Sequence, residues 1–227
     1  MKYIIRHSSL AVWLVLHCFA FCVYGQNDAR AQKIIDDLAA KFKTYPSVSI
    51  DFSATVTQLQ DQSESTSKGI IQLKGSKYKL EVSEYVIYFD GLKVYQYLPD
   101  VKEVNVSRPE VDENDEEFQF LNPQAYFNLS SKKFKSDLAK ESTQDGRKVY
   151  EINLYPIQVK TSKYSRIHLS VEKTTLQIVN LKVFLKDGTQ YTLSFKSYNI
   201  MQTALPDSFF SFDEKKHPGV EVIDLTF

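Results

Sequence analysis

Apolar residues recur every second position along most of this chain, and at steps of three and four in two places only. The first helical stretch runs from Asn27 to about Thr44, where Ala31, Ile34, Ile35, Leu38, Ala39 and Phe42 share one face. Asn27 is suited to cap its start, and Tyr45-Pro46 ends it. The next segment, SVSIDFSATVTQ, alternates Val48, Ile50, Phe52, Ala54 and Val56 with Ser49, Asp51, Ser53, Thr55 and Thr57. Strict period two predicts a strand with one dry and one wet face.

The same signature returns down the chain. Tyr78, Leu80 and Val82 alternate with Lys77, Lys79 and Glu81, and Tyr95 and Tyr97 flank Gln96. Tyr150, Ile152 and Leu154 share a parity, as do Ile167, Leu169 and Val171; so do Leu181, Val183 and Leu185, and then Tyr191, Leu193 and Phe195. Gly75, Asp90-Gly91, Pro99, Asp145-Gly146, Asp187-Gly188 and Pro206 punctuate these runs. The spacing predicts about ten or eleven short-looped, mainly antiparallel strands, forming one large curved sheet or barrel. The second helical stretch lies within Pro109 to Asp137, where Phe118, Leu121, Ala125, Tyr126 and Leu129 fall at helical spacing. It predicts a short helical insertion laid over the sheet.

The first 25 residues carry Lys2 and Arg6, no acid, an apolar run from Leu10 to Val23, and small Val23 and Gly25 around Tyr24. That run is shorter than the roughly 20 residues a spanning helix needs. Residues 1–25 are therefore expected to be a cleaved signal peptide, leaving residues 26–227 as a single exported domain in the periplasm. Neither Cys18 nor Cys22 follows a small residue as a lipidated cysteine would. Both fall in the leader, so disulfides, thiol chemistry and cysteine-bound zinc drop out of the mature chain.

Charge narrows the function further. The 28 basic and 28 acidic side chains cancel, and loss of Lys2 and Arg6 leaves a slightly acidic protein. No basic excess exists for nucleic acid, and neither GxGxxG nor GxxxxGK[ST] is present to cradle a nucleotide. The acidic run Asp112 to Glu117 offers Asp112, Asn114 and Glu116 at alternate positions but lacks the glycine and terminal glutamate of a calcium loop; it reads as a solvated loop. His168 and His217 stand apart from HExxH, GxSxG or a Ser/His/Asp order, so no catalytic residue, metal or cofactor is expected. The sequons at Asn105 and Asn128 read as chance occurrences.

The sharper signal is aromatic content: 14 tyrosines, 15 phenylalanines and one tryptophan, many on the dry parity of strands. One helix and a short insertion are too little to cover the dry face of a ten-stranded sheet. The sheet must fill its own interior or leave a lined cavity.

Three segments bear on that choice. They are FSATVTQ from Phe52, GIIQLKGSKYKLEVSEYVIYFDGLKVYQYLPDVKEVNVS from Gly69, and LPDSFFSFDEKKHPGVEVID from Leu205. Together they resemble the periplasmic carriers of outer-membrane lipoproteins, the LolA family. In that family a G-x-x-x-[KR]-x-x-x-[FY] strand pair leads through an aspartate-glycine turn to an aromatic W/Y-x-Y-x-P strand, and F-x-F-x-x-P-x-G-V-x-V-x-D closes the chain.

The resemblance implies an open, unclosed antiparallel barrel of about eleven strands with an N-terminal helix and short lid helices over a hydrophobic cavity. It implies a non-enzymatic, monomeric carrier that takes acylated lipoproteins from an inner-membrane release complex to an outer-membrane acceptor or the membrane itself. Strand parity then nominates Phe52, Tyr78, Leu80, Tyr95, Tyr97, Leu193 and Phe195 as lining residues, with Tyr126, Phe127 and Leu129 from the lid. Lys74-Gly75 stands where family members often have Arg-Pro, whose arginine is associated with the lid, so Lys74 is the expected lid contact, without the arginine's forked donors. Tyr95 stands where tryptophan is common. A barrel that senses or carries another lipid or glycolipid, and an envelope hydrolase using carboxylates, are the alternatives.

Overall fold

The computed structural model describes residues 28–109, Phe127, Leu129 and 134–226. The expected leader, the acidic run, Tyr126 and most of the expected helical insertion lie outside the described residues.

One helix, α1 (Ala29–Phe42), precedes the sheet and buries Ala31, Ile34, Ile35 and Leu38 on a single face. Its cap is Asp28, not Asn27. Asp28 Oδ1 accepts from the Arg30 and Ala31 amides, and Oδ2 accepts from the Leu138 amide at 3.1 Å. One carboxylate thus satisfies the open helix start and pins it to a strand.

The strands are β1 (Ser47–Gln58), β2 (Ser63–Lys74), β3 (Lys77–Val82), β4 (Val86–Phe89), β5 (Val94–Leu98), β6 (Glu103–Ser107), β7 (Phe134–Gln144), β8 (Arg147–Pro156), β9 (Tyr164–Glu172), β10 (Ile178–Leu185), β11 (Thr189–Met201) and β12 (Glu221–Asp224). They form one sheet in the order β12-β6-β5-β4-β3-β2-β1-β11-β10-β9-β8-β7. The sheet is open, with β7 and β12 as its edges. The count fits the expected barrel of about eleven strands, and β12 adds to β6 in parallel. All other pairings are antiparallel. The Asp145-Gly146 turn between β7 and β8 has positive φ at both residues, the geometry for which such a pair is selected.

Alternation decides what each face carries. On the inner face, defined as the one covered by α1, Val48, Ile50, Phe52, Ile71, Leu73, Tyr78, Leu80, Ile152, Leu154, Leu169, Leu181 and Phe195 join the helix in one buried cluster. The opposite, outer face between β3 and β6 has its own cover. After β11 the chain makes a 3₁₀ turn at Asp207–Phe210, places Phe212 against Tyr88 and Tyr97, and ends in β12.

Candidate functional site

The inner face divides into two halves. Toward α1 it is packed dry: Val48, Ile50, Leu73, Tyr78, Ile178 and Leu181 are all buried. Burial pushes the Tyr78 phenol up to about 12, and it pushes the Tyr198 phenol up as well, the Tyr198 hydroxyl donating to the Ile178 carbonyl at 2.9 Å. A void of about 10 Å³ beside Leu38, Phe42, Phe127 and Tyr198 is at the lower limit for one water.

Away from α1 the same face is half-exposed. Ala54, Val56, Val82, Ile87, Leu185, Tyr191 and Leu193 line it without being sealed. Register holds them together: Ala54 lies opposite Leu193 and Val56 opposite Tyr191, while Leu193 lies opposite Leu181 and Tyr191 opposite Val183. An opening of about 470 Å³ at this end has Val56, Leu185 and Tyr191 as its apolar lining and Lys163, Lys186 and Asp187 at its rim. Such an arrangement can withdraw a chain of methylenes from water.

Phe52, Tyr78, Leu80, Leu193 and Phe195 all stand on this inner face, with Phe52 opposite Phe195. Phe127 and Leu129, the described residues of the expected lid, enter the same buried cluster. The Phe127 ring stacks on Phe42 with centroids 4.0 Å apart and lies 6.1 Å from Phe195.

Tyr95 and Tyr97 do not line this interior. In the β4–β5 register Tyr95 faces Tyr88 and Tyr97 faces Val86, while Gln96 shares the inner side with Ile87. Tyr97 packs on Phe212 and His217 at 5.2 and 4.4 Å between centroids, and the Tyr95 hydroxyl donates to Asp90 at 3.1 Å. Their dry surface is the one covered by the C-terminal segment.

Lys74 meets the C-terminal segment. It points outward and donates to the Leu205 carbonyl and to Asp207 Oδ1, both at 2.7 Å, while Lys77 meets Asp207 Oδ2 at 2.9 Å. It fastens the C-terminal segment to β2, and most of the expected lid lies outside the described residues. The residues that parity alone left unnominated, Ala54, Val56, Val82, Ile87 and Tyr191, carry the same period-two signal as their neighbours.

A family model described as outer membrane lipoprotein carrier protein LolA matches residues 43–213. The chain belongs to that family. Members of the LolA family bind lipids or lipoproteins. No curated protein matches the chain by sequence. Among solved structures, an uncharacterised conserved protein from Thermus thermophilus shares the fold at a TM-score of 0.54 and 11% identity, over 86% of this chain and 99% of that one. A LolA superfamily protein from Nitrosomonas europaea (TM-score 0.44, 13% identity, 81% and 98% coverage) and the Mycobacterium tuberculosis lipoprotein LppX (0.47, 10%, 77% and 100%) are also similar.

A polar cluster lies on the outer side of β7–β10. Glu151 accepts from Ser142 and from Gln144 Nε2 at 3.3 Å, and His168 lies 3.3 Å from Glu151 and 2.9 Å from Asn153. Desolvation lowers the His168 pKa, opposed by Glu151. Among the described residues no three metal-binding side chains gather.

Proposed function

We propose that this protein is a non-enzymatic periplasmic carrier that shelters the acyl chains of lipoproteins between the inner and the outer membrane. The half-exposed apolar inner face, continuous with a dry interior, supports this reading most. Each methylene moved from water into such a face contributes about 0.8 kcal/mol, so an acyl chain is drawn in without any polar recognition. The cargo enters past Val56, Leu185 and Tyr191, and longer chains displace Phe127 from its stack on Phe42. Release then requires an acceptor that offers the chain an equally dry site.

Native mass spectrometry on protein isolated from the periplasm of the cells that make it tests the reading. Co-isolation of an acyl-modified protein, released unchanged by mild detergent, is the expected result. A ligand-free protein that also fails to bind a fluorescent fatty acid overturns it.

A further inference from the structure

The rim of the half-exposed end carries an unusual combination of side chains. Between β8 and β9 the loop holds Ile157 and Val159 at 47% and 62% exposure, with Tyr155 at 39% just before it. From residue 152 to residue 171 there is no acid, yet Lys160, Lys163 and Arg166 fall within the stretch. Lys186, from the adjoining β10–β11 turn, donates to the Val159 carbonyl at 2.6 Å, and its amide donates to the Lys163 carbonyl at 2.9 Å. This braces the loop beside the opening, where Lys163 and Lys186 outnumber one carboxylate, Asp187. On the far side of the same turn Leu59, 55% exposed, bonds through its amide to the Gly188 carbonyl. The acids of these turns, Asp61 and Asp187, each accept an amide of their own turn, from Ser63 and Thr189.

Exposed aliphatics cost the free protein solvation, and lysines around them repel other basic surfaces. A surface that satisfies both is an anionic bilayer: the aliphatic tips enter the acyl boundary while the ammonium groups meet headgroup phosphates. An acidic protein patch would engage the lysines but gives Ile157 and Val159 no apolar depth, so the exposed tips favour lipid. We infer that the β8–β9 loop, with Lys186, docks this protein on anionic phospholipid membranes, presenting the opening of the inner face to the bilayer. The orientation toward cargo rests on the carrier reading; the docking itself does not.

The test is flotation of the mature protein with vesicles of phosphatidylglycerol and phosphatidylcholine, against vesicles of phosphatidylcholine alone. Binding is expected to the anionic vesicles only and to weaken with added salt. Ile157→Ser with Val159→Ser should lower partitioning at least tenfold, and Lys160→Gln or Lys163→Gln roughly fivefold each. Leu92→Ser, which removes an aliphatic that is 79% exposed in the distant β4–β5 turn, should change nothing. Circular dichroism melts on each variant establish that the fold is kept, which is expected for exposed side chains. Equal binding to both vesicle types, binding that survives Ile157→Ser with Val159→Ser, or no flotation in low salt overturns the inference. Fatty-acid binding by the same variants separates the two readings, because loop substitutions leave the inner face intact. Retained fatty-acid binding without flotation removes the docking surface alone, and flotation without fatty-acid binding removes the carrier.

Discussion

Phe52 lies directly across the backbone of Gly69. A Cβ at position 69 would stand 2.8 Å from the Phe52 ring and 2.4 Å from the Glu81 carbonyl oxygen. The two residues are cross-strand partners on β1 and β2, so the missing side chain is what lets the ring lie flat on the sheet at the boundary between its packed and half-exposed halves. Gly69→Ala must push against backbone as well as ring. It is expected to cost about 1–3 kcal/mol, read as a lowered thermal midpoint. An unchanged midpoint would show that β2 and β3 can part without cost.

Asp207 ties the C-terminal segment to β2 and β3. Hydrogen bonds from Lys74 and then Lys77 hold its carboxyl down to about 2, below the usual carboxylate range. A carboxyl depressed in the folded state stabilises fully above its unfolded value, about 3.9, and the contribution is lost as pH falls toward 2. Hydrogen exchange along residues 205–225 should therefore accelerate on acidification through that window, ahead of the inner-face strands. Asp207→Asn should show the faster exchange already at neutral pH. If exchange in the variant matches the wild type, the fastening lies elsewhere, for instance in the Tyr97–Phe212–His217 stack.

The elements were legible in the sequence because period two and period 3.6 are direct consequences of having one covered face. Which face is covered was not. At β1, β3 and β11 the apolar parity points toward α1, so Phe52, Tyr78, Leu80, Leu193 and Phe195 were placed on the inner side from alternation alone. At β5 and β6 the same alternation points outward, where Val104 and Val106 are buried beneath the C-terminal segment, and Tyr95 and Tyr97 follow it. A strand pattern states that a cover exists but not which distant segment supplies it. β12 escaped notice since four residues pairing in parallel with a strand more than a hundred positions earlier leave no local turn signal.

Phe127 closes the interior that its neighbours line. Phe127→Ala removes a ring that is 2% exposed and stacked on Phe42, so stability should fall by about 3–5 kcal/mol. On the carrier reading the same change vacates space for an acyl chain, and affinity for a fluorescent fatty acid should rise. Stability and affinity moving in opposite directions is the diagnostic outcome, measured by thermal melts and a binding titration on one preparation. A fall in both would mean that Phe127 forms part of the binding surface rather than its plug.

Leu193 separates a binding face from an ordinary core. It is half-buried, opposite Ala54 on β1 and Leu181 on β10, where the inner face begins to open. In a close-packed core, Leu193→Trp would overfill the interior and cost about 1–3 kcal/mol with no ligand effect. At a half-exposed site the indole extends into the opening near Val56 and Tyr191, so the thermal midpoint should move little while fatty-acid affinity drops severalfold. The substitution is therefore to be read on both axes together. Destabilisation with unchanged binding, or no fatty-acid binding in the wild type, would make the inner face a filled core.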